Sequence, residues 1–459
     1  MLSQAVIAFL DSRRDKHVRQ LIELLRFPSI SADPAREGDC LDCARWLADR
    51  LAAMGFDAQL LPWRSHPVLV ARRNCQRPGA ATVILYGHYD VQPADPLELW
   101  ESPPFEPAVR EGAVYARGAS DDKGQLLANI HAVEALLHTD GGLPANVLFL
   151  LEGEEEIGSP EFESFLTAHA DLLRADHAVI TDAEFFAPGV PAITTGLRGL
   201  AYFEITVTGP GRDLHSGLYG GAAVNPLNAL AAIVAGMRDE AGRVTLPGFY
   251  DDVVEPAEAE RQAWARLPFD EAAFEAGMGA PAAGGERGLP LLDRLWARPT
   301  LDCHGITGGY QGPGAKTVIP SAATAKVSMR LVPDQRPEQV AEGLRQYLIA
   351  HTPAGVRAEA TCLTAARPVL IPPDSPAISA ASAGLTEAFG AAPAFVRMGA
   401  SVPITELIQR ILGIDPIVTG YALPDDNLHS PNEHFQLAQF HRGAVATAAM
   451  LSRLGGGEG

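Results

Sequence analysis

A β-branched apolar run, Thr82-Val83-Ile84-Leu85, leads directly into Tyr86-Gly87-His88-Tyr89-Asp90-Val91-Gln92-Pro93. It reads as a buried strand that delivers polar groups at its end. Because side chains alternate along a strand, His88 and Asp90 project from one face while Tyr89 points away. The pair suits a ligand imidazole with a carboxylate beside it, since a carboxylate on the second ring nitrogen fixes the tautomer and strengthens the donor. A His-x-Asp at a strand end is also an ordinary hydrogen-bonded turn, so its meaning depends on what the rest of the chain supplies.

Apolar positions at helical spacing predict a helix over 3–27, ending at Phe27-Pro28, and a second over 38–54. Strands are expected near 57–62, 67–72 and 82–87, then a hairpin from Arg110 to Arg117. A helix opened by Asp121-Asp122 runs to His138, with the two aspartates where the helix dipole favours negative charge. Strands Asn146–Leu151 and His177–Thr181 end in Glu154-Glu155-Glu156 and Asp182. This alternation predicts an α/β sheet whose strand ends carry the polar residues, where open sheets place their ligands.

After Asp182 the texture changes to strand–helix halves, Leu200–Thr208 with Asn225–Met237, and Ala323–Leu331 with Pro337–Ile349, followed by Arg357–Leu363. These predict an inserted α+β domain, a small sheet with helices on one face. The stretch 238–300, rich in Ala, Pro, Gly and Glu, is read as an elaboration of that insert. The expected division is 1–185 and 371–459 for the catalytic domain, an α/β/α sandwich with a mixed sheet, and 186–370 for the inserted lid or dimerisation domain.

The net charge of -20 argues against a nucleic-acid partner. No apolar run reaches the roughly 18 residues of a membrane span. The start lacks a basic lead and a small-residue cleavage site, and five cysteines make no disulfide framework, so a cytoplasmic protein is expected. Cys40 and Cys43 lie in a helical pattern and are read as buried thiols sharing a face.

His88, Asp90, Asp121, Glu155, Glu156, Asp182 and His429 all fall at predicted strand ends of the α/β part. Gathering that many carboxylates at one edge is strongly repulsive without cations. Imidazole and carboxylate ligands suit zinc, and three carboxylates with two neutral imidazoles nearly balance two such ions.

Five stretches resemble the motifs of the dinuclear zinc exopeptidases related to aminoacylase, carboxypeptidase G and carnosinase, metallopeptidase family 20. They are His88-Tyr89-Asp90-Val91-Gln92-Pro93, Arg117-Gly118-Ala119-Ser120-Asp121-Asp122-Lys123-Gly124, Glu155-Glu156-Ile157-Gly158-Ser159, Asp213-Leu214-His215-Ser216-Gly217 and Leu428-His429-Ser430-Pro431-Asn432-Glu433. Leu214–Gly221, Gly314–Pro320 and the long insert look most like the cytosolic nonspecific dipeptidase and carnosinase branch. Met398–Pro403 departs from it where the branch usually has a second glycine.

The resemblance implies that Asp121 bridges two divalent ions, zinc first and manganese or cobalt as alternatives. His88 and Asp182 complete one site, Glu156 and His429 the other. Glu155 is implied as the base that activates a metal-bridging water, Asp90 as the brace of His88, and His215 as an oxyanion stabiliser reaching across a homodimer. Arg330 is a candidate clasp for a substrate carboxylate, because a guanidinium binds one in a bidentate way. By resemblance alone, Gly399 and Ser401 line the same pocket. The expected activity is hydrolysis of dipeptides or short peptides with a free C-terminal carboxylate, and the alternative is an N-acyl-amino-acid deacylase with the same site.

Overall fold

The computed structural model describes residues 1–139, 141–399 and 403–456. The chain divides into two compact units. One comprises Met1–Thr195, Ile371–Val396 and the chain from Pro403; the other comprises Gly196–Leu370 and a short stretch from Arg397.

The first unit is built on a mixed sheet with the strand order Asp57–Leu61, Val68–Arg73, Asn146–Glu152, Thr82–His88, His177–Thr181, Ile417–Thr419, Ala192–Leu197. Four neighbours, from Asn146–Glu152 through Ile417–Thr419, are parallel. Their carboxyl ends therefore point the same way, which is the geometry that collects polar residues at one edge. Every residue of Thr82–His88 is buried, as the unbroken apolar run requires of a central parallel strand. Helix Lys123–Leu137 packs against this strand and against Leu437–Leu454, and Glu37–Ala53 lies on the first two strands. Cys40 and Cys43 are fully buried on Glu37–Ala53, with thiol pKa values raised by burial.

The second unit holds an antiparallel sheet ordered Thr300–Gly308, Ala322–Leu331, Gly199–Thr208, Arg357–Ala366. Gly199–Thr208 alternates strictly between buried and half-buried positions. Its buried face carries helices Pro226–Gly236 and Pro337–His351, with Phe203, Ile205, Leu230, Ile233, Leu344 and Met329 in one core. Stretch 238–300 belongs to this unit and contributes helices Glu258–Trp264, Glu271–Met278 and Leu291–Trp296.

The structure departs from the sequence reading in several places, among them the following. The helix expected over 3–27 is two, Gln4–Ser12 and Arg14–Leu25, because the run Asp11–Lys16 has nothing apolar to bury and the Ser12 hydroxyl donates to the Phe9 carbonyl. Strand Thr300–Gly308 was not anticipated: it is an edge strand with mostly exposed residues and lacks the apolar alternation that marks a strand. The sequence pattern also predicts a C-terminal helix near 434–453; it starts at Leu437, because His434–Gln436 pairs as a strand with Ala113–Tyr115 and buries Phe435. Asp122 does not cap its helix; its carboxylate accepts the His88 backbone N–H at 3.2 Å instead.

Candidate metal centre

Each parallel strand hands a polar residue to the same end of the sheet. His88 closes Thr82–His88, Asn146–Glu152 runs into the 3-10 turn Glu155–Ile157, Asp182 follows Thr181, and the chain beyond Ile417–Thr419 returns His429 in a left-handed conformation with φ 57°. Asp121 comes from the turn before Lys123–Leu137.

His88 Nε2 lies 3.0 Å from Asp121 Oδ1 and 3.8 Å from Asp182 Oδ1. His429 Nε2 lies 2.9 Å from Asp121 Oδ2 and 3.3 Å from Glu156 Oε2. The side chains thus form two groups with one member in common. His88, Asp121 and Asp182 make one and Asp121, Glu156 and His429 the other, with ligand atoms in each within 4.8 Å of one another. Asp121 turns one oxygen to each group.

Asp90 organises both halves. His88 Nδ1 sits 3.1 Å from the Asp90 carbonyl oxygen and 3.3 Å from its Oδ1, so the ring proton belongs on Nδ1 and Nε2 faces Asp121 and Asp182. The Asp90 carboxylate also accepts the backbone N–H groups of Glu155 and Glu156, at 3.3 and 3.1 Å, which holds the acidic turn against His88. Gln92, quoted in a motif but given no role from sequence, fixes Glu156: its backbone N–H donates to Oε1 at 3.1 Å and its amide to Oε2 at 2.8 Å.

The electrostatics are those of carboxylates crowded out of water. Burial, then the negative charge of Asp182, Asp121 and Glu156, pushes Glu155 up to about 9, against the pull of His88. Burial and Asp121 likewise raise Glu156. Against burial, hydrogen bonds from His429 and His88 hold Asp121 well below the usual carboxylate range. Hydrogen bonds to Asp121 and Glu156 hold His429 up at about 10. The donor set of imidazole nitrogens and carboxylate oxygens, with this excess of negative charge, fits divalent cations.

A third group, His17, His131 and Glu134, also has convergent ligand atoms. There Glu134 already pairs with Lys16 at 2.9 Å and Arg50 at 3.1 Å, and the two rings stack with centroids 3.7 Å apart. Those cations leave no negative charge for a dication to balance.

Three of the sequence-derived candidates, His215, Arg330 and Gly399, belong to the other unit, and a fourth, Ser401, lies outside the described residues. His215 is exposed at the end of the two-residue strand Leu214–His215, and its Nδ1 accepts the Gly217 N–H at 3.0 Å. That contact assigns the proton of the neutral ring to Nε2, where it can donate. Arg330 is half-buried in Ala322–Leu331 opposite Leu200, on the sheet face that the helices leave uncovered. Arg198 donates through Nε to the Gly399 carbonyl at 3.0 Å, and burial followed by the charge of Arg330 pushes it down to about 10.

The sequence profile of Peptidase family M20/M25/M40 matches residues 84–453, and the chain belongs to that family: it is a metallopeptidase. Within the family it falls in the dipeptidase and carnosinase branch. It is 29% identical to Cys-Gly metallodipeptidase DUG1 of Candida albicans, over 98% of this chain and 97% of the relative. It is 30% identical to Beta-Ala-His dipeptidase of Homo sapiens, over 98% and 92%. Among solved structures, the M20 family metallo-carboxypeptidase Sso-CP2 from Sulfolobus solfataricus matches with a TM-score of 0.82 and 31% identity, covering 95% of this chain and 99% of that one. No helix among the described residues is long and apolar enough to cross a membrane.

Proposed function

We propose that this chain is a dipeptidase that hydrolyses the peptide bond of dipeptides or short peptides with a free C-terminal carboxylate, using two divalent ions. His88, Asp121 and Asp182 would hold one ion; Asp121, Glu156 and His429 would hold the other. The observation that carries the reading is the shared Asp121, one oxygen to each group, with the Glu155 carboxyl in the same buried cluster. Zinc suits the donors best, and manganese or cobalt accept the same set. When bound, such ions acidify water and polarise the scissile carbonyl.

The chain's own residues do the rest. Glu155 takes the proton of the attacking water and gives it to the leaving amide nitrogen. Asp90 keeps His88 in the tautomer that leaves Nε2 free. Carried over by the resemblance, His215 donates from Nε2 to the oxyanion and Gly399 and Ser401 line the substrate pocket; the Arg330 guanidinium, which can bind a carboxylate in a bidentate way, clasps the substrate carboxylate. A homodimer goes with the role of His215; the open, largely exposed edge strand Arg357–Ala366 supports self-association. Five free cysteines, two of them fully buried, support a reducing, cytoplasmic location.

The test is the rate at which zinc- or manganese-loaded protein cleaves unblocked dipeptides, set against the same compounds N-acetylated. Cleavage of the unblocked set alone is expected. Cleavage of the acetylated set alone would move the protein to the deacylases, and cleavage of neither would end the reading.

A further inference from the structure

Glu433 is fully buried, four residues beyond His429, and no role in the reaction has been attached to it above. Its carboxylate receives four donors. Oε1 accepts the backbone N–H groups of Ser120 at 2.9 Å and Asp121 at 3.1 Å. Oε2 accepts the Gly118 N–H at 2.9 Å and the Arg117 guanidinium at 2.6 Å. Its own carbonyl takes the Ala116 N–H at 3.1 Å, at the mouth of the strand pair His434–Gln436 with Ala113–Tyr115. One side chain therefore takes three backbone donors of the 116–121 turn, Gly118, Ser120 and Asp121, in the turn that presents Asp121.

We infer that Glu433 is a positioning residue, which pins the turn carrying Asp121 to the segment carrying His429 and so sets the spacing of the two ion sites. The inference rests on the two-ion reading proposed above. The physical case is one of register. Asp121 must turn one oxygen to His88 and the other to His429, with contacts of 3.0 and 2.9 Å, and these partners come from segments more than three hundred residues apart. A side-chain hinge at Asp121 alone cannot satisfy both unless its peptide is held. Glu433 supplies that hold from the His429 side, because the two residues share one short loop. The turn is braced further by the Ser120 hydroxyl, which donates to Asp426 Oδ2 at 2.7 Å from the same loop.

A purely structural account would make Glu433 the counter-ion of the buried Arg117, and the two accounts separate by substitution. Glu433→Gln keeps the shape but turns an N–H₂ toward peptide N–H donors, releasing the turn. Arg117→Met breaks the same ion pair and leaves the three backbone hydrogen bonds in place. Metal-stripped wild type, E433Q and R117M would be titrated with zinc against a chromophoric chelator, with near-UV circular dichroism as the check of folding, and kcat and KM measured on one dipeptide.

The expected result is two zinc equivalents for wild type and R117M. In E433Q, at least one equivalent should bind ten- to a hundredfold more weakly. KM should stay within about twofold while kcat falls by a similar factor. Should E433Q fail to fold, the double variant R117M/E433Q leaves no unpaired buried charge and must show the same weakened zinc binding. Unchanged zinc affinity in folded E433Q or in the double variant, or an equal loss in R117M, would overturn the inference. A wild type that binds fewer than two zinc ions would instead sink the two-ion reading on which it rests.

Discussion

Glu155 and Glu156 are neighbours in the chain with different surroundings. The 3-10 turn sends them apart: Glu156 is tied by two donors from Gln92 and by His429, whereas the Glu155 carboxyl sits in the field of Asp182, Asp121 and Glu156. Glu155→Gln should lower kcat by roughly 10²–10⁴ while zinc content, read by elemental analysis, stays at the wild-type level. A fall in zinc content instead would make Glu155 a ligand. Away from the site, His17 makes a pH prediction. It is 4% exposed and stacked on His131, and burial, with Lys16 and Arg50 adding, lowers it from 6.5 to about 4. The folded chain therefore resists a proton that the unfolded chain accepts. The stabilisation is whole above pH 6.5 and is lost as pH falls toward 4, by about 2–3 kcal/mol at pH 4.5. His17→Phe keeps the stacked ring without the titration. Urea unfolding at pH 7 and 4.5 should show the variant losing less stability than wild type by about that amount, and parallel losses would refute the assignment.

Among elements, the close approach of Gly420 to the backbone of Ala183 links the strand Ile417–Thr419 to the residue after Asp182. A Cβ on Gly420 would run into the Ala183 carbonyl and amide, so the two segments must move apart. Gly420→Ala should cost about 1–3 kcal/mol and weaken the proposed ion site that includes Asp182. Thermal unfolding and zinc titration test the two halves separately; a lower Tm with unchanged zinc affinity would mean that Asp182 is positioned independently of Gly420. The same logic of strand ends explains why Asp122 matters more as a brace than as a cap. With its carboxylate on the His88 peptide, and burial and Asp182 raising its pKa, it fixes where the strand Thr82–His88 stops.

At the scale of the whole molecule, ions that bind only the folded chain add stability by mass action, about 2.7 kcal/mol for a ligand at a hundred times its Kd. Stripping with a chelator should therefore lower Tm by several degrees and abolish dipeptide hydrolysis, with zinc restoring both. Recovery of activity without recovery of Tm would point to an ion outside the core of the first unit. The proposed dimer is checked by light scattering on the eluting protein, where a mass near 48.7 kDa would remove it.

Much of this molecule is written in short-range pattern. The runs Thr82–Leu85, Asn146–Leu151 and His177–Thr181 announce buried strands, and the polar residues at their ends follow from chain order alone. That was enough to anticipate an α/β sheet with His88, Glu155, Glu156 and Asp182 at one edge, and a second unit of α+β texture. Local pattern could not reveal strand Thr300–Gly308, whose exposed edge carries no apolar period, nor the break at Arg13. Nor could it assign Gln92, Asp122 and Glu433, because each acts through a hydrogen bond to a residue distant in sequence, and sequence periodicity records burial rather than partnership. The residue types of the site follow from the sequence; which oxygen of Asp121 meets which histidine was decided only when the parallel strands set their ends side by side.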